Sequence, residues 1–230
     1  MSNLVIPDGG TIGSASDTDA ISIASNGKPT FSAGIANTGT IDAGTLGSSV
    51  AVQAGSPIGV QLTSSQSSSN TQEVDFNSSL ITDSFKTYRI CFNLVIPADN
   101  ATEPIIQVSI DNGSNFLSNI MSRRTFQKMS TNSSYGQEQQ TQAYIQIGTD
   151  LGNQANQGWG GYLDLFGLRN TASHYAFGAA ACVGRHSSDE YWWQNGIYIP
   201  KGGSTAINFL RVRMSSGSMA AHDISLWGFK

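Results

Sequence analysis

Apolar and polar side chains alternate one by one through KTYRICFNLVIP, residues 86–97. Tyr88, Ile90, Phe92, Leu94 and Ile96 fall on one parity, and Arg89, Cys91 and Asn93 on the other. A period of two predicts a half-buried strand with five apolar side chains on one face, ended by Pro97, which has no N–H to donate to a ladder. The next run, PIIQVSIDNGSNFLSNIMSRRTFQKM, carries Asn112-Gly113 between two alternating segments. Both residues tolerate positive φ, so the pair predicts a tight hairpin turn. Further strand-like runs are QAYIQIG, GYLDLFGL, HYAFGAAACVG, NGIYIP, AINFLRVRM and HDISLWGF. Runs of Ala, Leu, Glu, Lys and Arg at 3.6-residue spacing are almost absent, so the pattern is all-β. Eight to ten strands separated by Gly, Asn and Ser turns predict a β-sandwich of jelly-roll type over residues 74–230.

Two of these runs are near copies. GYLDLFGL and HDISLWGF share a hydrophobic-x-hydrophobic-aromatic-Gly-hydrophobic pattern without similarity outside it. They read as two strands in similar settings, each with one face to the core. The Gly marks a bulge or a close backbone approach, and the last aromatic covers an edge.

Residues 1–60 have another texture. Single apolar residues (Ile12, Ile21, Ile23, Phe31, Ile35, Ile41 and Leu46) stand apart among Gly, Ser, Thr and Ala. One chain of this composition buries too little apolar area to offset its ordering entropy. Either it is a disordered tail, or it is an extended strand-and-turn segment that orders against sister chains or a partner. The alternation in AISIA and the turn signals SNGKP and NTG favour the second. QLTSSQSSSNTQE, residues 61–73, has no periodicity and reads as a polar linker between the two regions.

Charge narrows the function. Charged residues make up 12% of the chain and the net charge is −4; this offers no field for nucleic acid or an anionic membrane. No apolar run approaches the roughly 20 residues of a membrane span, and the amino terminus lacks the basic and apolar regions of a secretory signal. Cys91 and Cys182 lie far apart in strand-like runs. They read as buried free thiols, with a disulfide between them left open by the sequence.

Candidate chemistry is sparse. His174, His186 and His222 show no metal-ligand spacing, and no G-x-S-x-G elbow occurs. Glycan hydrolysis needs two carboxyls about 5–9 Å apart. The adjacent Asp189 and Glu190 would point to opposite faces of a strand. The reading is therefore non-enzymatic, with no cofactor and no metal. Arg123-Arg124 and the Arg211/Arg213 alternation read as solvated strand faces, with inter-chain ion pairs as the second reading. The stretch RHSSDEYWWQNGIYIP holds Tyr191, Trp192 and Trp193 in a row, followed by Asn195. Alternation sends Trp192 one way and its two neighbours the other, so the three rings cannot all face one core. These residues are candidates for core or subunit-interface packing, or for contact with a receptor, whose sugar rings would stack on the indoles.

The carboxy-terminal stretch AINFLRVRMSSGSMAAHDISLWGFK resembles the closing segment of many tailed-bacteriophage virion proteins. Those run through a hydrophobic-Arg-hydrophobic strand, a Ser-Gly-Asn/Ser turn and a last strand ending aromatic-Gly-hydrophobic. VSIDNGSNF and GYLDLFGLRNTASHY are similar to other landmarks of that module. TIGSASDTDAISIASNGKPTFSAGIANTGTIDAGTL is similar to amino-terminal segments of tail-fibre-like proteins of aquatic phages. The resemblance spans residues 11–46 and about 85–229 and carries no catalytic signature. It implies a virion protein made in the bacterial host cytoplasm: a tail fibre or spike for host attachment, generally a homotrimer. Its amino-terminal anchor or stalk would be packed by the sparse apolar residues above and held by a tail adaptor, nozzle or capsid protein. Its distal knob would meet a host-surface glycan or protein. A capsid decoration or head fibre, and a carbohydrate-binding module, are the alternatives.

Overall fold

The computed structural model describes residues 11–14, 17–23, 29–31 and 59–230, apart from 130, 149–150, 155–156, 186–189 and 202–203. The chain divides into two units, Met1–Ala51 and Val52–Lys230. Among the described residues there is no helix, and every named sheet is antiparallel, so the fold is all-β.

In the first unit, β1 (Thr11–Ser14), β2 (Asp17–Ile23) and β3 (Pro29–Phe31) form one sheet in that order. Ile12 lies opposite Ile21, and Ile21 opposite Phe31, so three of the sparse apolar positions fall in one cross-strand row. Ile23 closes β2 opposite Pro29. Ile35, Ile41 and Leu46 lie outside the described residues.

The second unit is a sandwich. Its strands are β4 (Val60–Ser67), β5 (Glu73–Phe76), β6 (Thr87–Pro97), β7 (Pro104–Ser109), β8 (Ile120–Lys128), β9 (Ser133–Gln142), β10 (Ile145–Gln146), β11 (Trp159–Phe166), β12 (Tyr175–Arg185), β13 (Glu190–Pro200), β14 (Phe209–Met214) and β15 (Met219–Phe229). The smaller sheet runs β10-β7-β14-β5 and the larger β4-β15-β6-β11-β12-β13-β8-β9. One apolar core lies between them. Phe76, Ile106, Val108, Leu210 and Val212 come from the smaller sheet, and Tyr88, Ile90, Phe92, Leu163, Leu165, Trp193 and Ile224 from the larger. Two alternating faces thus cover each other, which is how half-buried strands hide their apolar parity.

Several expectations need correction. Residues 61–73 are not a linker. Val60–Ser67 is an edge strand hydrogen-bonded along β15, and Thr71 exchanges two backbone bonds of 2.9 Å with Met219. An edge strand with an exposed face is held by its ladder and needs few apolar residues, so its sequence has a linker's texture. In β6, Leu94 is exposed while Val95 is buried. The ladder to β15 skips from Leu94 to Phe92 opposite consecutive residues Asp223 and Ile224, leaving Asn93 as an extra residue. A bulge reverses parity beyond it, which simple alternation does not anticipate. Asn112 and Gly113 do take positive φ, 57° and 88°. Yet β7 and β8 belong to different sheets, so the turn starts a crossover and not a hairpin.

The two similar segments, GYLDLFGL and HDISLWGF, both flank β6 in the larger sheet. Their glycines differ: Gly167 turns the chain with φ 70°, whereas a Cβ on Gly228 would stand 2.5 Å from the Phe85 ring. The last strand covers no edge, since β15 is paired on both sides. Arg211 is not solvated or aimed at a sister chain. It bonds Asp75 through two contacts of 2.8 Å and Glu73 at 2.9 Å, both on neighbouring β5. Cys91 and Cys182 are free; Cys182 is buried and Cys91 half-buried. Burial pushes both thiols up, so neither is a ready nucleophile near neutral pH.

His222, at 2% exposure, stands on β15 with Nε2 2.8 Å from Ser65 Oγ of β4. Burial lowers its pKa from the ordinary 6.5. As pH falls through about 6.5 the unfolded chain takes up a proton that the folded chain does not, so stability falls with pH until the lower folded pKa is passed. Thermal melts between roughly pH 7 and 5 should show this loss, and His222→Gln should flatten it. An unchanged slope in the variant would show that His222 is not its source.

Candidate functional site

The sheet alternation that fills the core also decides what the larger sheet shows on its other side. On β12, Ala176, Gly178, Ala180, Cys182 and Gly184 are buried, leaving Tyr175, Phe177, Ala179, Ala181 and Val183 on the outer face. On β11 the outer residues are Tyr162, Asp164 and Phe166, between the buried Leu163 and Leu165. Phe177 keeps 50% of its surface exposed, Val183 49%, Phe166 42% and Tyr175 42%. Aromatic residues therefore occupy the solvent face as well as the core, which water alone does not favour.

Register arranges the face into rows across four strands. Phe166, Phe177, Tyr198 and Met121 lie side by side on β11, β12, β13 and β8. The Phe177 and Tyr198 rings are 5.8 Å apart, and Tyr175 lies 4.8 Å from Tyr198. A hydrogen bond with Tyr175 pushes the Tyr198 phenol up to about 12, so it stays neutral. The next row is Asp164, Ala179, Gly196 and Arg123, and the next Tyr162, Ala181, Gln194 and Thr125. Ala179, Gly196 and Ala181, in the middle of these rows, carry small side chains or none. A trough of about 450 Å³ opens there, walled by Tyr162 and Asp164 on β11 and by Arg123 and Thr125 on β8. Beyond it comes the row holding Val183.

One wall is fixed by charge. Both Asp164 carboxylate oxygens accept bonds of 2.7 Å from Arg89 on β6, in the forked geometry that suits guanidinium to carboxylate. The Arg89 guanidinium also lies 4.5 Å over the Tyr162 ring. Asp164, Arg89 and Tyr162 thus hold one another in place, and the hydrogen bond to Asp164 raises the pKa of Arg89.

The residues proposed from sequence fare differently. Trp193 is wholly buried, and Asn195 is 5% exposed, its amide donating to the Gln146 carbonyl beneath the sheet. Neither is available as a receptor contact. They share the inward parity of Ile197 and Ile199, so the packing alternative is the correct one for them. For Tyr191 and Trp192 the backbone places Gly184 and Val183 opposite them; their side chains are outside the described ones. Sequence reasoning passed over Tyr162, Asp164, Phe166, Phe177 and Gly196. Their signal was an aromatic on the parity opposite Leu163 and Leu165, on a strand whose apolar face was already accounted for. Among the described residues no cluster of three or more His, Cys, Asp or Glu could hold a metal ion. Set beside known proteins, the chain matches no family model, no curated protein and no solved structure.

Proposed function

We propose that this chain is a non-enzymatic structural component of a tailed-phage virion, a tail fibre or spike that takes part in host attachment. In this reading the amino-terminal segment joins the particle or builds a short stalk, the sandwich is the outward knob, and three copies assemble around one axis. The observation that carries the reading is the outer face of the larger sheet, where Tyr162, Phe166, Tyr175, Phe177 and Val183 lie open to contact. Contiguous exposed aromatics of this kind mark an interaction surface. The likeness of the carboxy-terminal strands and turns to phage virion proteins adds the setting.

Support for a jelly roll within this reading comes from the order of crossings. The chain changes sheets from β4 to β5, β5 to β6, β6 to β7, β7 to β8, β9 to β10 and β10 to β11, and again from β13 to β14 and β14 to β15. Two packed sheets linked by repeated crossings are a feature of jelly rolls in viral and lectin domains.

The test is competition. Purified chain added to host cells is expected to block adsorption of the phage that encodes it, and labelled antibody against the chain should mark the tail tip in electron micrographs. Label on the head with no effect on adsorption would overturn attachment in favour of a capsid decoration. Sedimentation of the purified protein as a stable monomer would remove the trimer and the stalk with it.

A further inference from the structure

We infer that the trough on the outer face is a carbohydrate subsite, taking a neutral sugar whose ring lies on Ala179, Ala181 and Gly196 with its hydroxyls turned to Asp164 and Thr125. The inference rests on the attachment reading and names the ligand class for it.

The depression has no cause in the fold. A Cβ on Gly196 would meet nothing within 4 Å, and no positive φ calls for glycine there. Glycine inside a strand is a disadvantage relative to alanine, because its backbone loses more freedom on folding. What its absent side chain provides is floor space, continued by the methyl groups of Ala179 and Ala181 in the same two rows. Ala179, Ala181 and Gly196 thus give the trough an apolar stretch of floor between its walls. From β11 to β8 is three strand spacings, about 14 Å, which is room for a sugar ring and its substituents.

That geometry selects the ligand chemistry. A pyranose has an apolar C–H face and a rim of hydroxyls, so it needs a flat apolar surface with hydrogen-bonding groups at the edge. A carboxylate has about four acceptor sites, and Arg89 occupies two of those on Asp164; the others can accept from sugar hydroxyls. Because Arg89 and Tyr162 already hold the carboxylate, little rotamer freedom is lost on binding. The Asp164–Arg89 pair cancels its own charge and the chain as a whole carries −4, which favours a neutral sugar over an anionic one. A flat protein partner would span the bulky rows and leave the floor empty, losing contact where the trough is deepest.

The experiment uses the intact chain and neutral probes: mono- and disaccharides of glucose, galactose, mannose and N-acetylglucosamine, followed by saturation-transfer NMR and titration calorimetry. At least one is expected to bind the wild type. Gly196→Leu, which fills the floor, should abolish that binding with an unchanged melting temperature. Gly196→Ala should keep part of it, and Asp164→Asn should weaken it at least tenfold. No binding by any probe, or equal binding by Gly196→Leu, would overturn the subsite. So would a change of sedimentation mass in Gly196→Leu, which would make the face a contact between copies. Adsorption competition separates the two proposals. Blocking by wild type and Gly196→Leu alike sinks the subsite and leaves attachment standing; sugar binding without blocking by the wild type does the reverse.

Discussion

Trp193→Ala is expected to destabilise the sandwich by about 3–5 kcal/mol, the range for removing a large aromatic from a packed core. The indole is 0% exposed. Its sheet partner across the ladder is Cys182, and its ring lies close enough to Gly184 that a Cβ there would stand 2.9 Å from it and 2.8 Å from Trp159. Truncation leaves a void among groups that cannot collapse, because the sheet on either side of β13 is continuous. Chemical denaturation should show the midpoint falling at unchanged slope. A loss under about 1 kcal/mol would place the ring outside the core, contrary to its burial. Any fall in host adsorption by this variant would follow from unfolding and would not identify a receptor contact.

Gly161→Ala is the second large expected effect, about 3 kcal/mol or more, from overpacking combined with backbone strain. Gly161 follows the bulge where β11 shifts register against β6, and its φ is 149°. A Cβ would stand 2.3 Å from the Ala181 carbonyl oxygen and 2.6 Å from Cys182 Cα. These are backbone atoms of the neighbouring strand, so relief requires the β11–β12 ladder to shift. The control is Gly196→Ala on β13, where the added methyl meets open space. It should be neutral or gain up to about 1 kcal/mol through a stiffer unfolded chain. Thermal melts of the two variants side by side decide the matter; similar behaviour would mean that neither glycine is set by its surroundings.

The strand content was legible because alternation is a local property. Leu163 and Leu165, or Leu210, Val212 and Met214, announce an inward parity whatever they pack against. The same rule was enough to say that Trp192 and Trp193 diverge, but not which of them faces the core. That choice depended on Ile197 and Ile199, which share Trp193's parity and meet the opposite sheet. β4 escaped notice because its stability comes from bonds to β15, about 157 residues away in the case of Ser65 and His222. Asn93 escaped for a related reason: its bulge exists only in the pairing with β15 and β11.

The site was less legible than the fold. Tyr162, Asp164, Ala179, Gly196, Arg123 and Thr125 come from four strands spread over residues 123–196, and no short motif joins them. By itself the sequence determined most of the strands, inward parities such as those of Leu163 and Leu165, and the positive φ at Asn112-Gly113, since these depend on side-chain period and on φ, which neighbours along the chain control. Only the tertiary structure decided which strands pair, where parity reverses and which small residues line up into a trough. Those outcomes depend on register between distant strands, and a one-residue shift in register would exchange the core for the surface.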